Sequence, residues 1–203
     1  MAYVAYVVIV SAPAVVATAV DPQVLSNGVI YTCGVVSGVL AYSMVCAQFI
    51  LSARLNWVES FFGASNIYRM HRRMALAVIP VLIIHLGFLT GMRGNWELLL
   101  SPQVMWPIQF GRVAVAAVLI TILYSLGRNW IPINNADWRF FHGVLAWIIL
   151  LSGLVHSIAL GASFESPVFA FLWMGYFMIA VLAWGHKWRL RRQTARITSA
   201  QKR

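Results

Sequence analysis

Six apolar runs, each close to the roughly 20 residues that a helix needs to cross a bilayer, leave this chain little choice of fold. They lie near residues 3–20, 29–52, 71–91, 107–127, 139–160 and 166–187. Breakers separate them. Asp21-Pro22-Gln23 and Ser26-Asn27-Gly28 divide the first two runs, and Gly91 to Asn95 with Ser101-Pro102-Gln103 divides the third from the fourth. A polar loop from Gly127 to Asp137 follows the fourth, and Ser163 to Pro167 turns the last hairpin, with Pro167 suited to a first helical turn. Only 10% of the 203 residues are charged and 61% are hydrophobic, against about 25% charged in soluble domains. The expected fold is therefore an all-α membrane protein, a six-transmembrane-helix bundle.

The first run resembles a signal peptide only faintly, because no Lys or Arg precedes it, and it is read as a span. The net charge of +10 does not indicate nucleic acid, since the basic residues sit between and after the apolar runs rather than on one soluble face. Thirteen of the 15 Lys and Arg fall on one side: Arg54, Arg69, Arg72, Arg73, Arg128, Arg139 and the seven from Lys187 to Arg203. Arg93 and Arg112 fall on the other. The positive-inside rule then puts both termini in the cytoplasm, with residues 1–188 as the membrane domain and 189–203 as a basic tail against anionic headgroups. Cys33 and Cys46 have no CxxC spacing and read as packing residues.

Histidine carries the chemistry. His71 and His85 lie on the third run, His142 and His156 on the fifth, and each pair is 14 residues apart. Fourteen residues of helix return to the same face within about 40° and rise about 21 Å. The third and fifth spans run in the same direction, so His71 stands level with His142, and His85 with His156. A single membrane histidine is more often a helix–helix hydrogen-bonding group or part of a proton relay. Two matched pairs instead suggest two stacked b-type haems between the third and fifth helices, each held by one imidazole above and one below the iron. Zinc fits less well, because the four rings are spread out and no Cys, Asp or Glu joins them. His186, in Trp184-Gly185-His186-Lys187, reads as an interfacial residue.

Haem propionates call for cations. Arg54, Arg69, Arg72, Arg73 and Arg139 are available to the inner haem, although positive-inside charge explains any one of them as well. The outer haem has Arg93 and Arg112. Arg112 stands out on the charge-poor side, for a propionate or for attracting a substrate to the outer surface. Val78 and Ile149 fall midway between the two levels and are aliphatic, so these faces carry no aromatic relay.

The stretches LSARLNWVESFFGASNIYRMHRRM, VLIIHLG, GRVAVAAVLI and GRNWIPINNADWRFFHGVLAWIILLSGLVHSIALG resemble the ferric reductase-like transmembrane domain, the di-haem core of ferric reductases and NADPH oxidases. The resemblance covers about residues 29–160. Its most specific parts are LSAR, YRxHR and the spacing of Trp138 to His142. It implies an inner haem on His71 and His142 and an outer one on His85 and His156, with electrons passing from a cytoplasmic flavin to ferric iron, oxygen or a periplasmic reductase outside. A bacterial plasma membrane is the expected location, as the resemblance implies. The chain departs from the oxidases in showing only the basic tail after the sixth span, with no flavin or NAD(P)H domain. Its donor is therefore expected to be a separate flavoprotein or a quinol. One alternative is a quinol-oxidising haem subunit feeding a periplasmic enzyme such as a methionine sulfoxide reductase. Respiratory cytochrome b shares the histidine spacing but is expected to carry flanking glycines absent here. A membrane scaffold whose histidines bind nothing is the alternative of another class. No acid–base group is evident in the membrane core, so no protein-borne proton relay is expected. Terminal chemistry is expected near the loops at 92–107 and 161–167.

Overall fold

The computed structural model describes residues 2–92, 94–161 and 165–201, with their side chains except at positions 2, 64, 191 and 194–201. Among the described residues every regular element is helical: α1 (Ala2–Val20), α2 (Pro22–Ser26), α3 (Val29–Ala53), α4 (Asn56–Phe62), α5 (Ala64–Leu86), α6 (Glu97–Leu100), α7 (Trp106–Leu126), α8 (Asn135–Leu160) and α9 (Pro167–Gln201). A π-helical turn, Gly87–Gly91, extends α5, and a 3-10 turn, Gly127–Asn129, extends α7. Six helices, α1, α3, α5, α7, α8 and α9, contain stretches long and apolar enough to cross a membrane.

Two helices outrun their apolar runs. α5 starts at Ala64, directly after Gly63 at φ +78°, so His71 stands two turns inside the helix rather than at its edge. α9 continues through the basic tail to Gln201. Neither stretch contains a Pro, and beyond Gly185 the tail is rich in Arg, Gln and Ala, which favour helix. Hydropathy marks where a helix enters lipid, and only breakers mark where it stops. The short α2, α4 and α6 were also not expected. In α4, Val58 is fully buried while Trp57 and Phe61 are exposed, as suits a helix lying in the interface.

α3 is the central helix. Over half of its membrane-length stretch is buried (56%), against 11% for both α5 and α7. It packs on α1, α5, α8 and α9, while α7 lies along α8. α5 and α8 are thus braced from the sides, by α3 and α7, with little backbone contact between them. One buried cluster joins Met44, Leu51, Met70, Val78 and Ile149, which puts the two aliphatic midpoints in a common core. A second gathers Tyr42, Phe169 and Trp173, with Tyr42 and Trp173 stacked at 4.8 Å. Large side chains such as Ile83, Leu123 and Phe171 remain exposed on the outside, the apolar surface that a bilayer solvates. Helix hydroxyls bond back one turn, Ser43 to the Val39 carbonyl (2.9 Å) and Thr121 to the Ala117 carbonyl (2.7 Å), which satisfies them where no water reaches.

Candidate functional site

The slot between α5 and α8 is lined by the four histidines at two levels. The rings of His71 and His142 are 6.4 Å apart between centres, and those of His85 and His156 are 6.2 Å apart. Neither pair is stacked, with interplanar angles of 58° and 89°. All four rings are half-buried. Two helices that run parallel and carry the same spacing meet level twice, which is why both contacts form together. His186 is exposed on α9 and joins neither pair. Among the described residues no three His, Cys, Asp or Glu side chains converge, so each level brings together two imidazoles and no further side chain of these types.

The two levels are built differently. At the end of the bundle that carries α6, His85 Nδ1 donates to the Gly34 carbonyl of α3 (2.7 Å) and His156 Nδ1 donates to the Pro107 carbonyl of α7 (2.9 Å). A carbonyl only accepts, so in both neutral rings the proton sits on Nδ1 and the Nε2 lone pair is left free. The first turn of α7 and the glycine-containing face of α3 supply these anchors.

The other level lies toward the end of the bundle where α3 stops and α5 and α8 start, the end that carries Arg54, Arg69, Arg72, Arg73, Arg128 and Arg139 in the sequence. Here His71 Nδ1 is buried and makes no hydrogen bond of ordinary geometry, although the Gln48 backbone of α3 lies near enough to act on the ring, and His142 Nδ1 reaches Ser125 Oγ only at 3.5 Å. Stacking takes over. Trp138, one turn before His142 on α8, lies parallel to its ring at 5.1 Å and 20°, and the Arg128 guanidinium covers the Trp138 ring at 4.5 Å. Trp138 Nε1 and the Tyr124 hydroxyl are buried without partners among the described residues. Lys187, on α9, comes near enough for its charge to act on both His71 and His142. Sequence reasoning had counted Lys187 only among the positive-inside charges, because nothing local in the chain says which histidines the end of the sixth span approaches.

The arginines singled out from the sequence have other occupations. Arg54 ends α3 in the left-handed conformation (φ 54°) and pairs with Glu59 at 2.8 Å. Arg73 donates to the Tyr3 hydroxyl (3.2 Å), and Arg69 donates to Asn66. Arg72 and Arg139 are exposed. Arg93 lies outside the described residues, as do positions 162–164 of the last loop and residues 202 and 203 of the tail. Arg112 is engaged most fully. Its Nε donates to the Leu98 carbonyl (2.9 Å), one terminal nitrogen to the Ser101 carbonyl (2.6 Å) and Gln109 Oε1 (3.3 Å), and the other to the Glu97 carbonyl (3.0 Å). The Glu97 carbonyl also accepts from the Ser101 N–H (3.0 Å), while Leu98 has no such donor because the residue four further on is Pro102. A cation on the charge-poor side is thus explained by a loop that must be closed.

The family model for the ferric reductase like transmembrane component matches residues 37–153, more than half of the chain. The match takes in three of the four histidines and stops just short of His156. No curated protein matches the chain.

Proposed function

The chain belongs to the family of ferric reductase-like transmembrane components, and on that premise we propose that it carries electrons across a membrane through two b-type haems, one between His71 and His142 and one between His85 and His156. The observation that carries this reading is the pair of ring separations. An imidazole nitrogen bonds a metal at about 2.0–2.1 Å and lies about 1.1 Å from its ring centre, so two imidazoles on opposite faces of one metal have centres about 6.3 Å apart. The separations of 6.4 and 6.2 Å match that figure at both levels.

The surroundings fit the same group. The Nδ1 protons of His85 and His156 are turned to carbonyls, which leaves Nε2 of each ring for the iron. At the basic end, Trp138 Nε1 and the Tyr124 hydroxyl are buried donors that need acceptors, and Lys187 brings a positive charge. Propionate carboxylates are such acceptors for Trp138 Nε1 and the Tyr124 hydroxyl, whereas Arg54 and Arg73 at the same end are paired with Glu59 and Tyr3. Bound in these positions, each haem supplies a one-electron Fe(III)/Fe(II) couple. The chain's own part is to hold the two levels apart with the aliphatic layer around Val78 and Ile149 and to exclude water between them. The basic end faces the cytoplasm and receives electrons from a separate flavoprotein or a quinol. The α6 end delivers them outside to ferric iron, oxygen or a periplasmic reductase.

The test is a reduced-minus-oxidised spectrum of the purified protein together with a haem assay. Two low-spin b-type haems per chain are expected. A well-folded preparation with no low-spin b-type band would leave a scaffold role as the better reading.

A further inference from the structure

The two carbonyls that anchor His85 and His156 share a local arrangement on two unrelated helices. Each belongs to residue i of a helix whose residue i+4 is glycine: Gly34 with Gly38 on α3, and Pro107 with Gly111 on α7. In a helix the carbonyl of residue i already accepts from the N–H of residue i+4, and the side chain at i+4 overhangs its second lone pair. A glycine there uncovers that lone pair. The contacts measure how fully the space is used. A Cβ at position 38 would stand 2.6 Å from His85 Nδ1 and Cε1, and one at position 111 would stand 2.6 Å from His156 Nδ1 and 2.7 Å from its Cε1. Both imidazoles therefore rest on bare helix backbone. The same groove on α3 receives Leu89 at Gly34, one turn beyond His85, where a new Cβ would stand 2.5 Å from a Leu89 methyl and 2.7 Å from its Cγ.

We propose that Gly38 and Gly111 are positioning residues for the α6-end haem: each opens a helix carbonyl to the Nδ1–H of the ligand, fixes the tautomer that leaves Nε2 for iron, and thereby sets the potential of that site below the other. A ligand imidazole that donates strongly from Nδ1 is a more basic ligand and favours ferric iron. At the basic end the Gln48 backbone of α3 lies near His71, but the residue four positions on is Ser52 rather than glycine and no hydrogen bond of ordinary geometry forms there, and the charge of Lys187 on both rings favours ferrous iron. The inference rests on the haem assignment of the previous subsection.

Redox titration and haem quantitation of the full chain test it. In the unmodified protein two unequal midpoint potentials are expected, and His85→Ala should remove the lower one. If His85→Ala removes the higher one, the proposal is overturned. Gly38→Ala and Gly111→Ala, made separately, should each lower the haem content toward one per chain or raise the lower midpoint potential, with the higher one unmoved. Unchanged haem content and potentials in both variants would also overturn it. Gly175→Ala, where a Cβ meets nothing within 4 Å, should behave as the unmodified protein. A variant that loses both haems reports a collapsed bundle, and the assignment of potentials in the unmodified protein then decides. Absence of haem from the unmodified protein is a different result, which overturns the proposed function itself.

Discussion

The two ends of the slot hold the same pair of residues by different means. At the α6 end, His85 and His156 are fixed by backbone carbonyls on α3 and α7, with glycines making the approach possible. At the basic end, His142 is stacked under Trp138 and Arg128, while His71 Nδ1 is approached by the Gln48 backbone without a hydrogen bond of ordinary geometry. A backbone anchor fixes both direction and tautomer, because the acceptor cannot rotate. A stacked face limits tilt but leaves the ring free to choose its proton. The α6 end is thus organised by the helices themselves, whereas the basic end keeps two buried donors, Trp138 Nε1 and the Tyr124 hydroxyl, without partners among the described residues.

The largest expected effect comes from removing a ligand. His85→Ala or His156→Ala should eliminate one of two haems and leave the other intact, and His71→Ala or His142→Ala should do the reverse, read as half the b-type absorbance in each case. Retention of two bis-histidine haems in any of these variants would break the pairing. Arg112→Ala comes next. It removes hydrogen bonds from a charged donor to the carbonyls of Glu97, Leu98 and Ser101, each worth about 1.5–3 kcal/mol. Hydrogen exchange should accelerate across residues 97–101 while the basic end stays protected. Arg112→Lys should not restore protection, because an ammonium lacks the guanidinium fork.

Trp138→Phe keeps a ring over His142 and removes the Nε1 donor. If that donor serves a propionate, the variant loses about 1–3 kcal/mol of interaction, seen as weakened haem retention at the basic end alone. An equal effect at both levels would mean that the two ends are not independent. Arg54→Ala should do least. Its partner Glu59 is near the surface and the arginine side chain is 62% exposed, so the ion pair is worth about 0–1 kcal/mol, and the melting temperature should barely move. Arg54→Gly separates the ion pair from the backbone, since glycine accepts the left-handed conformation at no steric cost.

Much of this arrangement was legible in the chain. Runs of apolar residues, cut by Pro and Gly, announced six spans because lipid forces every backbone group into helix. The repeated interval of 14 residues announced two levels because helix geometry converts sequence distance into height and face. The ends of α5 and α9 were misjudged for the converse reason, since charge bars a residue from lipid without barring it from a helix. Arg112 was read as a cation awaiting an anion. Its actual partners are carbonyls 11 to 15 residues earlier, brought to it by the path of a loop that no local pattern encodes.

The sequence by itself determined that the chain spans a membrane, that four of its five histidines come in two matched pairs, and which residues belong to each pair. Those are properties of one helix at a time, or of two helices whose directions follow from counting spans. Only the tertiary structure decided what holds each ring. Gly38, Gly111, the Gly34 and Pro107 carbonyls, Trp138 and Lys187 act on histidines that lie in other helices or one turn away on the same one. Their meaning depends on the rotation of each helix about its axis, and that is fixed when side chains pack against one another.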